Sequence, residues 1–95
     1  MQFEWDENKR KLNLKKHNTD FAWAIAVFSD PNRIDKVDDR KNYGEVRIIT
    51  IGAIEAGEIL ETVVVVVSTD RKGNIRIISA RRANKKEKSY YYDNS

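Results

Sequence analysis

The sequence has no cysteine, a single proline, a single histidine and only four glycines in 95 residues. Without cysteine, the chain has no disulfide framework and no thiolate that could bind a metal or act as a nucleophile. Its apolar runs, such as Val63–Val67, are far shorter than the roughly 20 residues needed to cross a bilayer. Glu4 and Asp6 stand where a signal peptide carries basic residues. We therefore expect a cytoplasmic protein that does not bind membranes.

Length and composition predict a single globular domain that spans residues 1–95. Hydrophobic residues make up 40% of the chain and charged residues 35%, which is typical of a folded protein rather than a disordered one. A chain of this size has too little apolar surface to build two independent cores. No linker rich in glycine, proline or serine divides it, and no segment recurs as a repeat.

Positive charge is concentrated near the C-terminus. Residues 71–88 contain eight basic side chains and one acid, whereas the whole chain has a net charge of only +3. The remainder of the chain is therefore net acidic. Such an uneven distribution of charge favours a polyanionic partner, although many ordinary proteins show a similar imbalance.

Apolar periodicity predicts the element order β-α-α-β-β-β-β-α. Strands are expected at residues 2–5, 33–37, 45–54, 59–68 and 75–83, and helices at 7–16, 20–30 and from 84 onward. Asp6 and Asp20 are expected to cap the first two helices, and Asn84 with Glu87 forms a capping box for the third. This pattern predicts an α+β fold: a small antiparallel sheet with two N-terminal helices packed on it and a short C-terminal helix. Residues 90–95 are expected to fray.

Strand alternation places the arginines on particular faces of the sheet. Arg47 shares a face with Ile49 and Ile51. In the last strand, alternation assigns one face to Ile75, Ile77, Ser79 and Arg81 and the other to Arg76, Ile78, Ala80 and Arg82. The end of that strand therefore carries arginines on both faces.

The single histidine, His17, ends the first helix, and Asn18 is suited to the left-handed cap that follows. His17 either caps or packs that helix end, or it transfers protons, since its unperturbed pKa is near neutral. The aspartates of residues 35–39 read as a solvated loop, and no metal site is expected there.

Several motifs in order resemble one family. They are Phe3-Glu4-Trp5-Asp6, Lys16-His17, Asp30-Pro31, Arg47-Ile48-Ile49-Thr50-Ile51-Gly52, and Arg76-Ile77-Ile78-Ser79-Ala80-Arg81 followed by Lys85-Lys86-Glu87. Together they resemble the BrnT family of ribonuclease toxins from bacterial type II toxin-antitoxin pairs over about residues 2–88. Asn18 stands where the family usually has glycine, and Trp23 where an acid often completes a capping box.

The resemblance implies a RelE-like fold, RNA as substrate, growth arrest, and neutralisation by a BrnA-type antitoxin with a DNA-binding domain. Operator DNA would then be bound only indirectly, through that antitoxin. No metal or other cofactor is expected.

Cleavage of RNA without a metal needs a base, an acid and fixed positive charge beside the phosphorane. On this hypothesis Arg47 and Arg81 stabilise the phosphate, and His17, or alternatively Glu45 or a lysine, transfers protons. Further cationic side chains are expected to bind RNA: Arg76, Arg82, Lys85, Lys86 and Lys88. The arginines could instead pair with Glu45 or with aspartates at the sheet edge. The competing interpretations are a basic binding module that grips an antitoxin or nucleic acid without cutting it, and an inactive scaffold.

Overall fold

The computed structural model describes residues 2–56 and 59–94. Five strands form one sheet in the order β1-β5-β4-β3-β2, and three helices pack on it. The strands are β1 Phe3–Glu4, β2 Ile34–Val37, β3 Arg47–Ala56, β4 Ile59–Arg71 and β5 Asn74–Arg82. The helices are α1 Glu7–His17, α2 Phe21–Val27 and α3 Lys85–Asn94. The predicted α+β class and element order are confirmed. No helix in the described part of the chain is long and apolar enough to span a membrane.

The two faces of the sheet have separate cores. On one, which we call the α2 face, Phe21, Ala24 and Val27 of α2 pack against Val64 and Val66. On the other, the α3 face, Tyr91 of α3 packs in a core with Ile51, Val63, Val65 and Ala83. Because β4 has buried valines on both faces, it is the central strand, as its apolar run predicts.

A β-bulge in β5 changes the predicted faces of that strand. Ile77 pairs with Ser68 and Ser79 pairs with Val67, so Ile78 is an extra residue opposite two consecutive positions of β4. The prediction that Ile77 and Arg81 share a face is therefore wrong. Ile77 packs in the core of the α2 face, whereas Arg81 lines a cavity on the α3 face. The predicted placement of Arg76 and Arg82 together is also wrong, since the bulge moves Arg76 to the α3 face.

Strand β1 departs from the predicted antiparallel sheet. It pairs with β5 in parallel, through Phe3 opposite Ile75 and Glu4 opposite Arg76. The other strand pairs are antiparallel. A parallel first strand needs a long crossover connection, which helices α1 and α2 with the following strands supply.

Asn13 joins α1 to β5 beyond the end of β1. Its side-chain amide donates to the carbonyl of Ala80 at 2.7 Å and accepts from the N–H of Ala80 at 3.2 Å. It also donates to the carbonyl of Thr19 at 2.9 Å. Asn13 is buried, whereas both leucines of α1 are exposed. The Asn13 side chain thus makes the two backbone hydrogen bonds at Ala80 that a neighbouring strand would otherwise make. These bonds fix the position of the C-terminus of α1.

The C-terminal helix is ordered by one buried tyrosine. Tyr91 is 3% exposed, and its hydroxyl donates to the carboxylate of Asp30. The side chain of Asn84 accepts from the N–H of Glu87, and Glu87 accepts in return from the N–H of Asn84, which confirms the predicted capping box. The prediction that residues 90–95 fray is wrong for residues 90–94, because Tyr91 buries its ring in the sheet core.

Candidate active site

A cavity of about 280 Å³ opens on the α3 face where α1, β5 and α3 meet the loop after β2. Its lining residues are His17, Arg40, Ile49, Val65, Val67, Ser79, Arg81 and Glu87. We call this cavity the arginine pocket. Strand residues form its floor, and the ionisable side chains His17, Arg40, Arg81 and Glu87 come from four different segments of the chain.

His17 is the last residue of α1 and enters the pocket from the edge of the sheet. The bonds between Asn13 and Ala80 fix the last turn of α1 next to β5, and Asn18 ends the helix in the left-handed conformation, as predicted. Burial lowers the pKa of His17 below its usual value of 6.5, and the charges of Lys16 and Arg81 lower it further. The imidazole is therefore mostly neutral at neutral pH and able to accept a proton.

Arg81 and Glu87 form a two-pronged ion pair inside the pocket. The two terminal nitrogens of Arg81 donate to the two carboxylate oxygens of Glu87 at 2.7 and 2.8 Å. Hydrogen bonds from Arg81 lower the pKa of Glu87, and the same contact raises the pKa of Arg81. Glu87 thus occupies one edge of the Arg81 guanidinium and fixes its orientation, and an oxyanion can bind the remaining N–H donors.

Arg40 is a pocket residue that the sequence did not reveal. It lies in the loop between β2 and β3, and Asp38 accepts its two hydrogen bonds, each of 2.8 Å. Tyr43 donates to the same carboxylate at 3.0 Å. Hydrogen bonds from Arg40 hold the pKa of Asp38 far below its usual range. The aspartates of residues 35–39 predict a solvated loop, and no local sequence pattern indicates that Arg40 lines a cavity.

Glu87 was also missed as a site residue. The capping box predicts its place at the start of α3. The strand-to-helix turn between residues 82 and 85 then brings the carboxylate back to Arg81, six residues earlier in the chain. Arg81 and Glu87 meet in a cavity because of the way α3 packs on the sheet. The capping pattern does not predict that packing.

Arg47 and Glu45 lie outside the arginine pocket. Arg47 shares a face with Ile49 and Ile51, as predicted, and this is the α3 face. It lies in the cross-strand row of Thr69, four residues along β3 from the row of Arg81. Strand spacing therefore separates the Cα atoms of Arg47 and Arg81 by roughly 16 Å. Arg47 donates to Glu45 at 3.0 Å and stacks over the Tyr43 ring at 4.1 Å. Arg47 therefore forms the ion pair with Glu45 that is the alternative to a catalytic role.

The other predicted RNA-binding residues are dispersed. Arg76 donates to Glu4 at 2.7 Å at the opposite end of β5, and Arg82 lies over the Trp23 ring, 5.3 Å from its centre, on the α2 face. Lys85 and Lys88 are exposed on α3. Lys86 lies beside the arginine pocket, in a second cavity that shares Glu87 with it.

The pocket combines an imidazole that is neutral at neutral pH with two guanidinium groups held in fixed orientations. Such an arrangement can bind a phosphodiester and accept a proton from a neighbouring hydroxyl group. A sequence model described as "Ribonuclease toxin, BrnT, of type II toxin-antitoxin system" matches residues 5–87. The chain belongs to the BrnT family. No curated protein sequence matches it significantly. Membership in the BrnT family implies RNA as substrate and an antitoxin as partner.

Proposed function

We propose that this BrnT chain is a single-domain cytoplasmic toxin that cleaves RNA in the arginine pocket without a metal ion. The observation that supports this most is that His17 and Arg81, 64 residues apart in the chain, line one cavity together with Arg40. The two guanidinium groups present N–H donors in fixed orientations to an anion, and arginine remains charged at every physiological pH. Fixed positive charge thus takes the role at the phosphate that a metal ion has in other nucleases.

The proposed reaction is an internal transfer within the RNA strand. Neutral His17 takes the proton of a 2′-hydroxyl group, and that oxygen attacks the adjacent phosphorus. The bond from phosphorus to the 5′-oxygen breaks, which yields a 2′,3′-cyclic phosphate, and the leaving oxygen takes a proton from water. Arg81 and Arg40 stabilise the charge that develops on the other phosphate oxygens. His17 then releases its proton to solvent.

We assign Arg47 to a flanking phosphate of the same strand. It shares the α3 face with Arg81, but it does not line the arginine pocket, and Glu45 and Tyr43 hold its side chain outside that cavity. Glu45, which accepts from Arg47 at 3.0 Å, then orients Arg47 and does not transfer protons. Lys86, which lines the adjoining cavity, contacts the backbone next to the cleaved bond.

The test is cleavage of a defined RNA by purified Arg81→Ala protein. Loss of one fixed donor at a developing anion typically lowers kcat by about 100- to 1,000-fold. Arg71→Ala is the matched control, because it removes the same charge from an exposed position at the end of β4. Equal cleavage by Arg81→Ala and wild type would remove Arg81 from the mechanism. Absence of cleavage by the wild type would instead favour a basic binding module.

We further propose that the antitoxin is a BrnA-type protein and that it neutralises the toxin by covering the arginine pocket. Family membership supports an antitoxin partner, and a cavity with two guanidinium groups is a natural site for an acidic side chain. On this proposal, antitoxin and RNA compete for the protein. Simultaneous binding of both, measured with a labelled RNA and the purified antitoxin, would contradict it.

A further inference from the structure

A second cavity adjoins the arginine pocket on the α3 face. It has a volume of about 250 Å³ and is lined by Lys36, Ile49, Ile51, Lys86, Glu87 and Tyr90. We call it the tyrosine pocket. Ile49 and Glu87 line both cavities, so the two sites are adjacent. A ligand bound in one of them can therefore extend into the other.

The walls of the tyrosine pocket are held by well-anchored elements. Ile49 and Ile51 lie side by side on the α3 face of β3, and Lys36 of β2 pairs directly with Ile49. Tyr90 projects from α3 and is 43% exposed. Its neighbour Tyr91 is buried and donates to Asp30, and these two contacts anchor α3. The Tyr90 ring thus stands beside an apolar floor.

The chemistry of the tyrosine pocket suits a flat ring that carries a neighbouring anion. Its floor is aliphatic, one wall is an aromatic ring, and two lysines stand at the rim. Its volume is below the range of about 300–1,000 Å³ that drug-sized ligands occupy, so it holds one ring system rather than a whole nucleotide. Aromatic side chains that stack bases beside a positively charged backbone groove are the usual way in which proteins bind single-stranded RNA.

We propose that the tyrosine pocket binds one nucleobase of the RNA strand whose phosphate lies in the arginine pocket. This inference rests on the proposed ribonuclease function and adds a subsite to it. The base stacks on Tyr90 above Ile49 and Ile51, and Lys36 and Lys86 contact the adjacent backbone. The subsite fixes which nucleotide stands beside the cleaved bond, so Tyr90 contributes to binding and to base preference.

The experiment measures binding with a probe that cannot be cleaved. A 2′-O-methyl RNA hexamer lacks the attacking hydroxyl group, and matched hexamers carry one abasic nucleotide at each position in turn. For the wild type, one abasic position is expected to weaken binding by about 5- to 150-fold, the range found when one stacked base is lost. Tyr90→Ala weakens binding of the intact hexamer to the same extent, and the abasic change at that position then has no further effect. Tyr90→Phe retains the ring and binds like the wild type.

Tyr92→Ala is the matched control, since Tyr92 is 53% exposed, lines neither cavity and packs edge-on against Tyr91. The subsite is overturned if Tyr92→Ala weakens binding as much as Tyr90→Ala, or if Tyr90→Ala weakens every probe by the same factor. Cleavage of ordinary RNA by the wild type is measured in parallel. If the wild type cleaves RNA but Tyr90 shows no coupling to one base, the subsite proposal fails and the proposed ribonuclease function stands. If the coupling is present but the wild type does not cleave RNA, the proposed ribonuclease function fails and the base-binding site stands.

Discussion

Replacement of Asn13 by alanine is expected to damage both the fold and the arginine pocket. The change removes the donors to the carbonyls of Ala80 and Thr19 and the acceptor for the N–H of Ala80. Ala80 and Thr19 are both 0% exposed. Solvent therefore has little access to the three backbone groups that lose their partner. His17 lies four residues further along the same helix, so its position in the pocket depends on this junction.

The expected loss follows from the number of groups left without a partner. A buried polar group that loses its hydrogen bond costs about 1–3 kcal/mol. Three groups at the lower limit give about 3 kcal/mol, because water can enter part of the space that the amide vacates. Alanine recovers up to about 0.7 kcal/mol through its higher helix propensity. The net decrease in the free energy of unfolding is therefore about 2–3 kcal/mol.

Urea denaturation followed by circular dichroism measures this decrease. With an m-value of about 1–3 kcal/mol per molar for a small protein, the midpoint falls by about 0.7–3 M. Asn8→Ala is the matched control, because Asn8 is exposed on the same helix. RNA cleavage, assayed below the denaturation temperature of the variant, is expected to fall by more than the folded fraction does. Equal stability of the Asn13 and Asn8 variants within about 0.5 kcal/mol would refute the reasoning.

Three further predictions concern packing, pH and salt. Gly52→Ala places a Cβ atom 2.8 Å from Cγ1 of Val27, and urea denaturation should show a loss of about 1–3 kcal/mol from overpacking. Because the pKa of His17 lies below 6.5, the cleavage rate should be constant near neutral pH and fall with acid at a midpoint below 6.5; a midpoint above 6.5 contradicts its role as base. The same shift should reduce stability as the pH falls from 6.5 through the folded-state pKa of His17. RNA affinity should fall with salt at a logarithmic slope of about −1 to −2 for two or three phosphate contacts, and no salt dependence would contradict the phosphate contacts.

Local patterns predicted the elements of the fold because caps and periodicity act within a few residues. The caps at Asp6, Asp20 and Asn18 and the capping box at Asn84 are present as predicted. The bulge at Ile78 was not predictable in this way, since it depends on how β5 aligns with β4. Alternation alone assumes a regular strand, and one extra residue reverses the faces of every position before it.

The candidate site was only partly predictable for the same reason. His17 and Arg81 were identified as site residues by their chemistry and by the family resemblance, and the structure places both in one pocket. Arg40 reaches that pocket from the loop between β2 and β3, and Asn13 positions α1 through a contact with β5, 67 residues away in the sequence. Neither contact has a local pattern, because each depends on segments that are distant in the chain.

The arginine pocket combines high donor density with little net charge, and this follows from how its arginines are held. Glu87 neutralises Arg81 and Asp38 neutralises Arg40, so the two guanidinium groups can lie in one cavity without strong mutual repulsion. Glu87 also caps α3, and so the formation of the first turn of α3 and the orientation of Arg81 occur together. Each arginine gives two of its five N–H donors to its carboxylate, so an entering phosphate meets the other donors of a guanidinium group whose orientation is already set. Helix α3 is for this reason a structural part of the site and not an appendage to it.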